Sequence, residues 1–464
     1  MEQYLTIWDL VLTPLYLVVL IFIAKRMRDK YYPIGHPLRK YYLLGLYAKF
    51  AGAIFIALIY QYYYGGGDTY NYFHESKVIN SSLDNSFSIW LKLMFRVSPD
   101  SDPFIYKYSS LFYWYDDANS FTVSRIGAIF GLLNGTTYIP IALLFAFFSF
   151  TGIWAMYRTF SDIYPHLYKE LAIAFLFIPS TVVWGSAMFK DTVCMFGLGW
   201  MTYTIFRIFT KKDFSFKNLF LMCFSFYLVG VVKIYILLSF VPALSVWLLM
   251  TYSHRIQYTA IRWGLNLLFV GVLVGGFVSS SKVFAEELNR YSLDKIASTA
   301  QSTRGWITYA SGDEGSAYDL GEFDPSLVGM LTKFPQAVVV TFFRPFLWEA
   351  RKLIVALSAL EAFVFLYFTL KVVLKRGKKL LNALSDPNLV FFLTFSLLFA
   401  FAVGITSYNF GALSRYKIPC LPFYAALLIV LYYDSKETRE QLQMRLIRSL
   451  SGRRDEVKTA EQLS

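Results

Sequence analysis

Apolar runs of about 15 to 24 residues recur along almost the whole chain, separated by short polar and charged stretches. Runs of that length are too long for buried strands and match the reach of a membrane-crossing helix. They predict spans over 7–24, 43–61, 126–148, 170–186, 190–206, 218–232, 234–250, 263–279, 352–373, 388–406 and 418–433. The expected fold is an all-α polytopic membrane protein with about 11 transmembrane helices, within a range of about 10–13. Residues 1–433 form this helical domain, and 434–464 form a charged tail that begins as an amphipathic helix and frays.

Composition supports the class. Of 464 residues, 56% are hydrophobic, 19% aromatic and 16% charged, whereas a soluble domain carries roughly 25% charge. The net charge of +13 would suit nucleic acid, but the basic residues sit in short loops between apolar runs. Membrane orientation accounts for that placement, and no nucleic-acid partner is expected. Cys194, Cys223 and Cys420 are scattered without metal-ligand or disulfide spacing, as small buried side chains would be. The first apolar run lacks a basic segment before it and has positive charge after it, which reads as an uncleaved first span.

Loop charges set the expected sidedness. One set of loops holds Lys25, Arg26, Arg28, Lys30, Arg39 and Lys40, then Arg158 and Lys169, then Arg207, Lys211, Lys212 and Lys217. Arg255, Arg262, Lys375, Arg376, Lys378, Lys379 and the tail continue it. The positive-inside rule places the N terminus outside and the C terminus in the cytoplasm, in a multi-pass protein of the cytoplasmic (inner) membrane. Two long segments then face outward, 62–125 and 280–351. Each carries an apolar stretch, Phe87–Phe95 and Leu327–Phe343, expected to lie against the bundle as interfacial or re-entrant helices. Residues 298–326 are polar and glycine-rich, as expected for a mobile outer loop.

Several residues at the outer face carry chemistry. Gly65-Gly66-Gly67-Asp68-Thr69-Tyr70 puts a carboxylate on a glycine-rich turn at the mouth of the bundle, with His74 and Glu75 one to two turns on. The bland reading makes Asp68 a helix N-cap and the neighbouring tyrosines an interfacial belt. Lys190 and Asp191 interrupt an apolar stretch, at a hairpin tip running from Trp184 to Asp191. Charges at the edge of hydrocarbon are costly unless wet or paired. Lys233 divides two apolar runs, and Glu361 lies within a span. Arg344 marks the return of the second outer segment to the membrane, and Arg415 and Lys417 stand on the outer side against the positive-inside trend. Binding a phosphate gives those cations a reason to be there. His36, His166 and His254 are isolated, and no metal site is built from them.

Taken together, Gly67-Asp68-Thr69-Tyr70, the hairpin Phe177-Ile178-Pro179-Ser180 through Lys190-Asp191, and Arg415-Tyr416-Lys417-Ile418-Pro419 are similar to motifs of a known class. The chain resembles multispanning C-type-fold (GT-C-like) glycosyltransferases and the related bacterial surface-polysaccharide polymerases. The doublet of acids that many of these enzymes carry before the first outer amphipathic helix is missing; Asp116-Asp117 comes later in that loop.

The resemblance implies an enzyme of polysaccharide biosynthesis at the cell envelope. It would transfer a sugar or glycan from a polyprenyl-phosphate or -diphosphate donor at the extracytoplasmic face. Asp68 and Asp191 would be catalytic, and Lys190, Lys233, Arg344, Arg415 and Lys417 would hold phosphate. Tyr70, His74, Glu75, Asp116 and Asp117 would meet the acceptor. No cofactor or metal is expected, although Asp68 with Asp116 or Asp117 leaves room for a divalent ion. Expected partners are the lipid-linked glycan, the bilayer and other membrane proteins of a polysaccharide assembly system. The competing classes are a transporter or flippase of lipid-linked glycans, which needs charges along a two-sided path, and a non-catalytic membrane scaffold.

Overall fold

The computed structural model describes residues 4–253, 317–321, 327–377, 380–383 and 385–433. Among them the chain is all-α, and the one β-bridge joins Ala317 to Asn409. Among the described residues, seven helices are long and apolar enough to cross a membrane, or eight with the bent pair Phe410–Tyr416 and Leu421–Tyr433. The expected span 263–279, most of the loop 298–326 and the tail 434–464 lie outside the described residues.

The chain opens with α1 (Ile7–Tyr31) and α2 (Arg39–Ile59), which a π-helical turn, Tyr60–Tyr64, extends. The first outer segment is built from α3 (Asp68–Ser81), α4 (Phe87–Met94), α5 (Pro103–Ser109) and α6 (Ala118–Gly131). Exposed Phe87, Phe95, Phe104 and Tyr106 on and beside α4 and α5 fit an interfacial position. The centre of the bundle is α7 (Tyr138–Ile163) against α10 (Lys190–Lys211). Each is 78% buried over its most apolar window, whereas α1 is 17% buried and peripheral. The α7–α10 contact is backbone to backbone: a Cβ on Gly199 would fall on the Gly152 carbonyl, and one on Gly152 would fall on Phe196.

Two expected spans are corrected. The run 126–148 is not one helix, because Asn134-Gly135-Thr136 breaks it between α6 and α7, with Gly135 and Thr136 both at positive φ. The crossing helix starts at Tyr138 instead. The run 170–186 is also interrupted, into α8 (Tyr168–Leu176) and α9 (Pro179–Trp184). Proline fixes the first turn of α9 and disfavours a helical residue before it. The free ends of α9 are tied by buried charges. Glu361 accepts from the Ser180 backbone N–H at 2.8 Å and its hydroxyl at 2.6 Å. Lys49, from α2, donates to the Thr181 and Gly185 carbonyls at 2.9 and 2.7 Å.

The element α11 (Phe216–Ser253) contains a break at Lys233, whose φ of −151° and ψ of 81° are non-helical. Asn218 near its start donates to the Asp213 carbonyl, and Tyr252 near its end donates to the Phe209 carbonyl. Both limbs therefore meet the same end of α10, while Lys233 reaches Asp191 at the other end. The element is a helical hairpin with Lys233 at its tip. The second outer stretch, expected as one helix, is divided at Lys333 into α12 (Leu327–Thr332) and α13 (Phe334–Phe343).

The chain continues through α14 (Leu353–Arg376), the short α15 (Leu380–Ala383) and α16 (Pro387–Ser407). It closes with α17 (Phe410–Tyr416) and α18 (Leu421–Tyr433), bent 70° from each other. Tyr318 pins the described piece of the long outer segment to the end of α16, through Tyr408 O at 3.0 Å and Gly404 O at 2.8 Å. One end of the bundle thus gathers the start of α3, the start of α10, the tip of α11 and α17.

Candidate functional site

Four charged side chains from these four segments form a continuous chain of ion pairs. Asp68 Oδ2 meets Arg415 Nη1 at 2.7 Å, Arg415 Nε meets Asp191 Oδ2 at 2.7 Å, and Asp191 Oδ1 meets Lys233 Nζ at 2.5 Å. A second pair lies alongside, with Lys190 Nζ 3.5 Å from Asp117 Oδ2. The backbone explains each placement. Asp68 is the first residue of α3, where three positive-φ glycines let the chain turn out of α2. A Cβ at Gly67 would press on the Tyr60 ring. Asp191 and Lys190 open α10, Lys233 gains reach from the hairpin break, and Arg415 sits on the last turn of α17.

Exposure grades the cluster from a wet rim to a dry base. The Asp68 side chain is 45% exposed and Lys190 20%, whereas Arg415 is 11%, Lys233 6% and Asp191 0%. Asp68 does not act as an N-cap; that position belongs to Gly67, and the carboxylate reaches across to Arg415. A negative charge on the first turn is favoured by the helix dipole. Aromatic rings complete the base: the Arg415 guanidinium lies 4.5 Å from the Phe189 ring, and the Lys233 ammonium 4.6 Å from that of Tyr416. Tyr60 and Tyr72 are close enough to feel the charges of Asp68, Asp191 and Arg415.

The hairpin tip expected at the surface is instead covered. Trp184 and residues 186–189 are buried, because Trp184, Met188 and Phe189 belong to the apolar core. Asp191, expected as a catalytic acid, has no exposure and both oxygens in ion pairs, one with Lys233 and one with Arg415. Asp117 caps α6, accepting from Asn119 N–H at 3.2 Å and Ser120 at 2.6 Å. Burial pushes its carboxyl up, but Ser120, Lys190 and Asn119 together hold it below the usual carboxylate range.

Other expected site residues are not brought into the cluster. Tyr70 is fully buried, stacked on Tyr4 and donating to the Ala57 carbonyl at 2.9 Å. Glu75 is fully buried and accepts from Ser124 and from the Trp114 N–H at 2.7 Å, which joins α3 to α6. Burial pushes its carboxyl up against those hydrogen bonds. His74 is exposed, 5.8 Å from the Tyr113 ring, and Asp116 is exposed with its backbone carbonyl taken by Arg96. Arg344 is gripped by Glu349 through both carboxylate oxygens. Lys417 faces the interior, fully buried, with no hydrogen bond at Nζ among the described residues. Among the described residues no group of three or more His, Cys, Asp or Glu is placed to hold a metal ion.

At the depth of the spans lies an apolar cavity of about 610 Å³ between α2, α8–α9, α14 and α18, with none of the cluster's charged residues in its lining. Phe55, Ile173, Trp184, Leu357, Val364 and Leu428 line it, with Glu170, Glu361, Ser180 and Ser358 among the polar points on the wall. The Trp184 ring is 6.1 Å from that of Phe189, over which Arg415 stacks, so cavity and charges share the α9–α10 turn.

Phe189 and Tyr416, which carry the cations, and Lys49, which fixes α9, were not singled out from the sequence. A lone lysine inside an apolar helix was the available signal for Lys49. No protein-family model matches this chain, and neither does any curated protein or solved structure.

Proposed function

We propose that this protein is a membrane glycosyltransferase or polysaccharide polymerase that uses a polyprenyl-phosphate or -diphosphate donor. The observation that carries the reading is the joining of Asp68, Arg415, Asp191 and Lys233, which are far apart in the chain, at one partly open end of the bundle. An amphiphile with an anionic head and a hydrocarbon tail matches a charged rim linked to an apolar cavity through the Phe189 and Trp184 rings. The opposite end carries Arg39, Lys211, Lys212, Lys375 and Arg376, so the positive-inside rule puts the charged cluster on the extracytoplasmic face.

In the reaction, an acceptor hydroxyl oxygen forms a bond to the anomeric carbon of the donor sugar. The bond from that carbon to the phosphate oxygen breaks, and its electron pair leaves on the phosphate. Asp68, the half-exposed carboxylate, takes the acceptor proton. Arg415 and Lys190 offset the charge that grows on the leaving phosphate, and Asp191 and Lys233 hold Arg415 in place.

The test compares lipid-linked glycans in cells that lack the protein and are complemented with wild type or Asp68→Asn at matched abundance. Accumulation of short lipid-linked units in both the deletion and the Asn strain is expected. A deletion profile identical to wild type would remove the enzyme reading.

A further inference from the structure

The cluster poses a problem for any anion-binding reading. Its three cations, Arg415, Lys233 and Lys190, face three carboxylates, Asp68, Asp191 and Asp117. Among the described residues the cluster's charges therefore balance, and an added phosphate is gripped best where one carboxylate gives way. Two of the three are fixed. Asp191 is fully buried, with one oxygen on Lys233 and the other on Arg415. Asp117 serves as the cap of α6 and accepts from Asn119, Ser120 and Lys190. Asp68 differs on both counts: it is the most exposed of the three, and one bond to Arg415 is its whole set among the described residues. It also follows directly on Gly65, Gly66 and Gly67, all at positive φ, where the backbone turns freely.

We infer that the Asp68–Arg415 ion pair is an exchangeable latch: the phosphate or diphosphate of the substrate takes the place of Asp68 on Arg415. The exchange rests on the proposed reading of the site and adds its regulation. While the pair is closed, Asp68 is occupied and cannot serve as a base. An arriving phosphate replaces one anionic partner of Arg415 with another, so the buried guanidinium is never left unpaired. Asp191 keeps Nε throughout and prevents the guanidinium from following Asp68 outward. The liberated carboxylate then lies beside the bound head group with its lone pairs open. Donor binding and activation of the base become one event, and no free base is exposed to water in the absence of donor.

This gives Asp68 two opposite effects, on binding and on turnover. The test is titration of inorganic diphosphate into the full chain in lipid nanodiscs, by calorimetry, for wild type, Asp68→Asn, Asp68→Ser, Asp68→Glu and Arg415→Gln. Removing the competitor should tighten diphosphate binding by about 5–10-fold in the Asn and Ser variants. Glu should restore the weaker wild-type affinity, and Arg415→Gln should abolish binding. Diphosphate binding that is unchanged or weaker in both Asn and Ser would overturn the exchange. If neither variant folds, the infrared carboxylate band of wild type decides. Diphosphate should shift it as one carboxylate leaves its guanidinium, and an unmoved band at saturation overturns the inference. Binding is read without any transfer assay, so tighter binding in a protein without transferase activity would sink the enzyme reading alone. Weaker binding in a variant of an active transferase would sink the latch alone.

Discussion

Asp191 meets no water and accepts from Lys233 and Arg415 together. Removing a partner from a buried ion pair leaves an uncompensated charge, at a cost of about 3–5 kcal/mol. Asp191→Ala should therefore lower the thermal unfolding temperature of the purified protein markedly. The double change Asp191→Ala with Lys233→Ala should recover part of that loss, because one of the orphaned cations is gone too. Additive losses would contradict the coupling. The residues of this cluster were legible in the sequence, since Lys190, Asp191 and Lys233 interrupt apolar runs and Arg415 stands on an outer loop against the positive-inside trend. Their roles were less so. Whether a carboxylate faces water or closes an ion pair depends on the rotation of its helix, and the sequence does not register that. Tyr70 and Glu75 show the same dependence: both face inward on α3, toward Tyr4 and Ser124.

Helix by helix, long apolar runs with polar ends were read to within a few residues, as for α10, α14 and α16. Errors arose where a short break is hidden in an apolar run. Asn134-Gly135-Thr136 ends one helix and starts another without lowering the average hydropathy much. Packing between elements was not readable at all, because glycines contribute nothing to a hydropathy pattern. Gly152 and Gly199 nonetheless bring α7 and α10 into backbone contact, and Asp191 stands at the head of α10. Gly199→Val should force the two helices apart, with a loss of stability at or above the roughly 1–3 kcal/mol typical of overpacking. Gly230→Ala is the matched control, since its Cβ would lie 3.4 Å from Leu237, an ordinary contact. Size-exclusion profiles of fluorescently tagged variants should show aggregation for the first and a wild-type peak for the second. Equal behaviour of the two would refute the close-packing argument.

For the whole molecule, class and the clustering of charge at one end followed from the sequence, whereas the number of crossings did not. Length alone cannot tell the doubled α11 from one long helix, nor the broken α8–α9 from a full crossing. Sidedness is open to direct measurement. With Cys223 changed to Ser, a cysteine at exposed Lys77 on α3 should react with a membrane-impermeant maleimide in intact cells. One at exposed Lys212 should react only after permeabilisation. The reverse pattern would place the charged cluster in the cytoplasm, out of reach of an outer-leaflet donor.

The grip of Lys49 on the Thr181 and Gly185 carbonyls bears on how the protein is made. These acceptors lie 132 and 136 residues further along the chain, so they do not exist when α2 leaves the ribosome. A lysine at the middle of a lone helix costs about 2.5–3.5 kcal/mol to insert, and its stem can bend only toward the nearer interface. The expected consequence is a second helix that sits shallow during translation and reaches its final depth once the ninth arrives to receive its ammonium, so Lys49→Leu should insert independently of α9 in a glycosylation-mapping assay.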